Sequence, residues 1–511
     1  MKRNLTLITA LLLTISNLFG SDRAATLQRL DAWYAQVLAD WELPGMAIGI
    51  VEDGELIFSK GYGVKEIGQP DVPDEHTLFA IASNTKAFTA SLLAMLVHDG
   101  RLSWDDPVRD YLPCFDLGDP WVNSQANIRD LLSHRTGLGT FSGDVVWYKS
   151  TLQAEEILQA ARHLPKPVGF RNGYGYSNLM YLAAGLVIEE VSGMSWIENV
   201  QQRILDPLGM DRTIVRTSDL AAKSNYATPH ALTDGENIPI DWEDWTVVAA
   251  IGGLISSVSD VAKWMILNMN HGIHGSDTLL TAASINRMWT PHNSFTVSHH
   301  EPQDFNRHFS GYGLGWGLSD YHGRMLVGHT GGYDGMISEV RMIPGENLGV
   351  VVLTNGMKSP INAITHYTLE TMLGVEPRDW SAELLERAER RQQEDPRITA
   401  IKNARVMNTH PTKELEAYTG TYHADIYGNI VVSLADGQLR LAFEHSPELS
   451  ASLSHWHHDV WEIKWDRRHA WFDFGVVTFA LNNKLEVTGM DIEVPNRDIF
   501  FEELKPKRKD L

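Results

Sequence analysis

Ser83-Asn84-Thr85-Lys86, led in by the apolar run Leu78-Phe79-Ala80-Ile81-Ala82, is the stretch on which the reading of this chain turns. From Ala87 onward apolar residues recur at spacings of three and four (Phe88, Leu92, Met95, Leu96). That spacing predicts a helix from about Asn84 to Asp99, closed by Gly100. Ser83 then stands at the helix start, where unpaired N–H groups favour developing negative charge, and Lys86 falls on the same face. A serine hydroxyl is a poor nucleophile until a base takes its proton. A lysine serves as that base only where burial or a nearby positive charge lowers its pKa. Taken alone, the segment reads equally well as a helix cap followed by a surface lysine.

Two later segments change the balance. Tyr176-Ser177-Asn178 follows the loop Phe170-Arg171-Asn172-Gly173 and opens an apolar helix over 176–192. A phenol relays protons when cations lower its pKa, and Lys86 would be such a cation. An asparagine can hydrogen-bond a lysine and a substrate carbonyl at once. A second Tyr-x-Asn, Tyr427-Gly428-Asn429, sits among C-terminal strands and reads as a turn. His329-Thr330-Gly331-Gly332 comes shortly before a strand pair at 337–343 and 348–354. By itself it reads as a polar turn. Its glycines would also let a substrate backbone approach a strand edge closely.

In this order the three segments resemble the penicillin-recognising serine hydrolases, in the branch of class C β-lactamases, D-Ala-D-Ala carboxypeptidases, D-aminopeptidases and esterases. Leu131-Leu132-Ser133-His134-Arg135-Thr136-Gly137-Leu138, Pro207-Leu208-Gly209-Met210 and Tyr312-Gly313-Leu314-Gly315-Trp316 agree with that branch, and the likeness spans about residues 25 to 375. It implies that Ser83 is the acylated nucleophile, Lys86 its proton acceptor and Tyr176 a proton shuttle. Asn178 would orient Lys86 and the acyl amide. His329 and Thr330 would line the strand side of the pocket, Gly331 would belong to the same substrate-binding and oxyanion segment, and the N–H groups of Ser83 and Gly332 would hold the oxyanion. No metal or organic cofactor is implied. One departure matters: class C β-lactamases carry lysine where this chain has His329, and a histidine is mostly neutral at pH 7. The expected activity is therefore hydrolysis of small amides, D-residue peptides or esters, with β-lactamase as the alternative and a penicillin-binding sensor of little turnover as the alternative from another class.

The fold class expected is α/β of the α+β type: an antiparallel sheet flanked by helices, with an all-helical subdomain, then a small all-β barrel-like domain. The 511 residues divide into a signal peptide (1–21), a hydrolase domain (24–375), a charged helical linker (376–412) and a lipocalin-like β-domain (413–505). Helices are expected near 24–42, 259–270 (capped by Ser259) and 361–373, and strands at 46–51 and 56–58 around Asp53-Gly54. From about Leu415 short strands alternate with turns, one of them at Trp471 to Phe474. Lys2, Arg3 and the apolar run Leu5 to Phe19 read as a secretory leader, which places the protein in a bacterial periplasm or outside the cell without stable membrane insertion; an uncleaved anchor is the alternative. The net charge of −22 argues against nucleic acid as the main partner. The expected partner is a small molecule or short peptide, with homo-oligomerisation left open. Cys114 is the single cysteine, so no intramolecular disulfide forms. His455-Trp456-His457-His458 lacks the carboxylate or cysteine pattern of a metal site. Trp456, Trp461, Trp465 and Trp471 read as β-core.

Overall fold

The computed structural model describes residues 23–392 and 395–509; the leader expected over 1–21 lies outside the described residues. Helix α1 (residues 23–40) buries Leu30, Tyr34 and Val37. Strands β1 (Gly45–Glu52) and β2 (Glu55–Gly63) turn at Asp53-Gly54, both with positive φ, as a two-residue hairpin requires. Six more strands come from far along the chain: β3 (Asn293–Ser294), β4 (Ser310–Tyr312), β5 (Gly317–Tyr321), β6 (Arg324–Tyr333), β7 (Met336–Ile343) and β8 (Leu348–Thr354). They complete an eight-stranded sheet in the order β2-β1-β8-β7-β6-β5-β4-β3. Pairing of β1 with β8, from Met46↔Thr354 to Glu52↔Leu348, joins the N-terminal hairpin to the rest. Every residue of β8 is buried, which accounts for its unbroken run Leu-Gly-Val-Val-Val-Leu-Thr.

Helices cover both faces. α2 (Thr85–His98), α3 (Asn178–Ser192) and α4 (Val258–Met269) pack into one core. α1, α5 (Ile361–Leu373) and α6 (Trp380–Gln392) pack into the other. Short helices between α2 and α4 build the helical subdomain. The helix expected from Asn84 starts at Thr85, because Ala82–Asn84 form a 3₁₀ turn. The cap of α4 is Ser257, not Ser259: its Oγ accepts the Asp260 N–H at 3.4 Å. His329 to Gly332 lie inside β6, not in a turn before a strand, since β7 pairs with them on one side (His329↔Val340 to Gly332↔Ile337), while β5 pairs only with Arg324 to Gly328 on the other.

The charged segment forms α6 and α7 (Pro396–Asn403). Beyond it, β9 (Gly420–Ala424), β10 (Gly428–Ala435), β11 (Gln438–Phe443), β12 (Ser446–His457), β13 (Val460–Trp465), β14 (Val476–Leu481), β15 (Val487–Glu493) and β16 (Lys507–Arg508) close into a barrel. Trp471 to Phe474 are not a strand but part of the loop between β13 and β14. His455 and His457 serve the β12–β13 hairpin and the linker: His455 Nε2 meets the His458 carbonyl at 2.9 Å, and His457 Nδ1 accepts the Val406 N–H. The barrel docks on several segments of the first domain, one of them around Tyr148 to Thr151. Thr151 N–H donates to the His445 carbonyl at 2.7 Å, and Ser446 Oγ donates to the Tyr148 carbonyl at 3.2 Å. No helix among the described residues is long and apolar enough to cross a membrane.

Candidate active site

Ser83 follows a residue in an unfavourable backbone state. Ala82, fully buried, has φ 45°, a left-handed conformation that L-residues other than Asn and Asp seldom adopt. The turn is held from outside. Ser338 Oγ donates to the Ile81 carbonyl at 2.8 Å and accepts from Asn84 Nδ2 at 2.9 Å. Gly331 of β6 presses on the same carbonyl: a Cβ there would lie 2.1 Å from the Ile81 oxygen. That near-contact is why the position carries glycine.

Lys86 is completely buried one turn into the helix. Its Nζ has three neighbours: Ser83 Oγ at 3.1 Å, Asn178 Oδ1 at 2.7 Å and the Ile251 carbonyl at 2.7 Å. A neutral amine has two N–H donors and one lone pair. The two carbonyl oxygens take the donors, and the lone pair is left facing the serine O–H. Burial lowers the Lys86 pKa to about 7, against an opposing effect of Asp144. Asn178 is oriented from behind, its Nδ2 donating to Asp144 Oδ2 at 2.6 Å. Asp144 is itself buried and accepts the Trp147 indole N–H at 2.8 Å. Burial raises its carboxyl to about 8, while the Trp147 and Asn178 donors work against that rise.

Tyr176 places its ring 4.8 Å from Lys86 Nζ, and Tyr181 flanks the same amine at 5.3 Å. Burial pushes the Tyr176 phenol well above its ordinary pKa, with the nearby Ser83 hydroxyl partly offsetting the rise. The expectation that Lys86 would lower it is overridden by burial, so Tyr176 stays a protonated phenol. Its hydroxyl is buried without a well-formed hydrogen bond. His134 packs on the ring, tilted by 33° with centroids 4.3 Å apart, and accepts the Ser177 N–H through Nδ1 at 3.0 Å.

The strand side is equally defined. His329 donates from Nδ1 to the Thr330 carbonyl at 2.6 Å, which leaves Nε2 to accept the Tyr312 hydroxyl at 2.9 Å. Burial, with Lys86 nearby, lowers its pKa to about 3, so the ring is neutral. Thr330 is exposed on the same pocket edge. These residues enclose a cavity of about 600 Å³. Arg341 lies at one end, across from Gly328, its Nε donating to Glu339 at 2.7 Å. At the other end Trp471 of the barrel loop closes on Gly332, where an added Cβ would lie 2.9 Å from the indole. Asp498 and Ile499 of the barrel also line the cavity. Trp471 is thus a pocket wall rather than barrel core.

Residues 30–370 match the family model described as Beta-lactamase, and residues 404–508 match one described as a domain of unknown function (DUF3471). The chain belongs to the Beta-lactamase family. A relative in Aspergillus campestris, named Unguisins hydrolase ungD', is 30% identical over 78% of this chain and 76% of its own length. Penicillin-binding protein 4 of Amycolatopsis lactamdurans is 27% identical over 66% of this chain and 86% of its own. Among solved structures, the octameric penicillin-binding protein homologue from Pyrococcus abyssi aligns with TM-score 0.61 at 23% identity, over 92% of this chain and 98% of that one.

As a Beta-lactamase family member the chain brings Ser83, Lys86, Tyr176, Asn178, His329, Thr330, Gly331 and Gly332 around one cavity. Sequence reasoning missed Asp144, Tyr312, Arg341, Trp471 and Asp498. Tyr312 lay in a segment already matched to the family, without a role. The other four had no local signal, because each reaches the site through a tertiary contact.

Proposed function

We propose that this chain is an acyl-serine hydrolase of short peptides, small amides or esters. The observation that carries the reading is the buried Lys86 Nζ, 3.1 Å from Ser83 Oγ and held from behind by the Asn178 Oδ1 and Ile251 carbonyl oxygens, so that in its neutral form the lone pair is left to the serine. Lys86 takes the serine proton as Oγ attacks the carbonyl. The N–H groups of Ser83 and Gly332 hold the oxyanion. The protonated Tyr176 phenol gives its proton to the leaving amine or alkoxide and regains one from Lys86; water then releases the acyl group by the reverse relay. Asn178 holds Lys86 and the acyl amide.

The cavity favours peptide-like substrates over β-lactams at a dedicated β-lactamase. His329 is neutral and its Nε2 is occupied by Tyr312, so it offers a substrate carboxylate no charge. Among the described residues, Arg341 is the one arginine on the lining, and the Lys86 amine is taken up by Ser83, Asn178 and Ile251. From Gly328, beside Arg341, to Gly332, beside Trp471, β6 runs about 13 Å, the length of a short extended peptide. A relative named as a hydrolase of unguisins supports the hydrolytic reading. Export to a periplasm or the exterior, read from the leader, belongs to the same proposal.

The test is a panel of D-alanyl p-nitroanilides, p-nitrophenyl esters and nitrocefin on wild type and Ser83→Ala. Turnover of an anilide or ester that disappears in Ser83→Ala is expected, with nitrocefin the poorest substrate. Turnover that survives Ser83→Ala would overturn the mechanism.

A further inference from the structure

Behind the site, the turn 139–144 links the two domains to the catalytic groups. Within it Phe141 has φ 60° and Gly143 φ 86°, two left-handed residues in three. The turn holds two of the residues that flank Lys86, Tyr176 by its backbone and Asn178 by its side chain. Phe141 N–H donates to the Tyr176 carbonyl at 2.8 Å, and Thr140 Oγ1 accepts the Tyr176 N–H at 3.1 Å. Asp144, at its end, takes the Asn178 amide at 2.6 Å. Both Asp144 oxygens accept in this geometry, Oδ1 from the Trp147 indole N–H at 2.8 Å and Oδ2 from Asn178 Nδ2 at 2.6 Å. The donor end of the Asn178 amide is thereby held on Asp144 and its oxygen is turned toward Lys86. The outer side of the turn is clamped by the barrel: Glu503 accepts the Ser142 hydroxyl at 2.5 Å with one oxygen and the Gly143 N–H at 2.7 Å with the other.

We propose that Asp144 is a positioning residue that fixes the Asn178 amide and through it Lys86, and that Glu503 of the barrel is the outer member of the same chain, holding the turn that carries Asp144. This rests on the acyl-serine reading above. The barrel is then part of the catalytic unit by a route separate from the wall it gives the pocket. No other domain element needs to move for Glu503 to matter: its loss frees Ser142 and Gly143, and the strained turn relaxes away from Asn178.

The test compares Asp144→Asn, Glu503→Ala, Glu503→Gln, Ser142→Ala and the Asp144→Asn/Glu503→Ala double variant. Readouts are kcat and KM on the best panel substrate and the rate of Ser83 labelling by a fluorophosphonate. In that labelling the Oγ–P bond forms, fluoride leaves and Lys86 takes the serine proton. Asp144→Asn keeps one acceptor oxygen for two donors. It is expected to lower kcat and labelling about 100-fold with KM changed less than about 3-fold. Glu503→Ala is expected to cost about 10-fold in kcat, Ser142→Ala less, having lost one of two bonds, and Glu503→Gln least, since its Oε1 still accepts the Gly143 N–H and its Nε2 can donate to the Ser142 hydroxyl. In the double variant the losses should not add, because both act through the same amide. A wild-type kcat in Asp144→Asn overturns the proposal, as do fully additive losses. Wild-type kcat in Glu503→Ala, or in both Glu503→Gln and Ser142→Ala where Glu503→Ala does not fold, overturns the barrel's part. Failure of the parent reading is separate: it shows as turnover that Ser83→Ala does not remove.

Discussion

In the proposed mechanism Lys86 sets the pH at which this site works. Only the neutral amine accepts the Ser83 proton, and its pKa is lowered to about 7 by burial. Below that pH the amine is protonated and activity falls; above it the base is free. The acid limb of kcat/KM is thus predicted near pH 7, measured from about pH 5 to 9. His329 titrates far lower, at about 3. His329→Gln should therefore leave that limb in place, and the wild-type KM should stay flat from about pH 5 to 8. A limb that moves with His329→Gln would assign the titration to the wrong residue. His329→Lys, which restores a cation, should lower KM for carboxylate-bearing substrates about 5-fold or more and leave KM for neutral esters unchanged. At this scale Ser83, Lys86, Tyr176, Asn178 and His329 were legible because each sits in a short motif whose chemistry names its neighbours. Asp144 was not: nothing in Gly143-Asp144-Val145 says that its carboxylate meets an amide 34 positions away.

Elements place these groups by close approach. Strand β6 can press on the nucleophile turn only because Gly331 has no side chain. Gly331→Ala would set a methyl 2.1 Å from a backbone oxygen that cannot move without Ser83. A displacement of about 1 Å at the nucleophile is predicted to cost about 100-fold in kcat. Gly345→Ala, in a turn with nothing within 4 Å of the added methyl, should behave as wild type. Strands β1, β7 and β8 and helices α2, α3 and α5 were readable from apolar periodicity and turn residues. Strands β4 to β6 were not, because their glycines (Gly311, Gly317, Gly328, Gly331, Gly332) interrupt any alternating apolar pattern. Glycine there answers to tight packing between neighbouring backbones, which only the assembled sheet shows.

The whole molecule is a hydrolase domain whose pocket is finished by a second domain. Trp471 →Ala should open the Gly332 end and raise KM about 5-fold for aromatic or peptide acyl groups, with kcat little changed. An unchanged KM across acyl groups of different size would remove the barrel from substrate selection. The sequence showed that a β-domain follows the linker, but the side of the barrel that meets the site depends on the path of the loop between β13 and β14. The central claim, that Lys86 activates Ser83, is tested most directly by fluorophosphonate labelling followed by peptide mass spectrometry across pH. The label is predicted on Ser83, with a rate that rises through about pH 7 and is lost in Lys86→Met. A rate flat from about pH 5 to 9, a label on another residue, or undiminished labelling of Lys86→Met would contradict it.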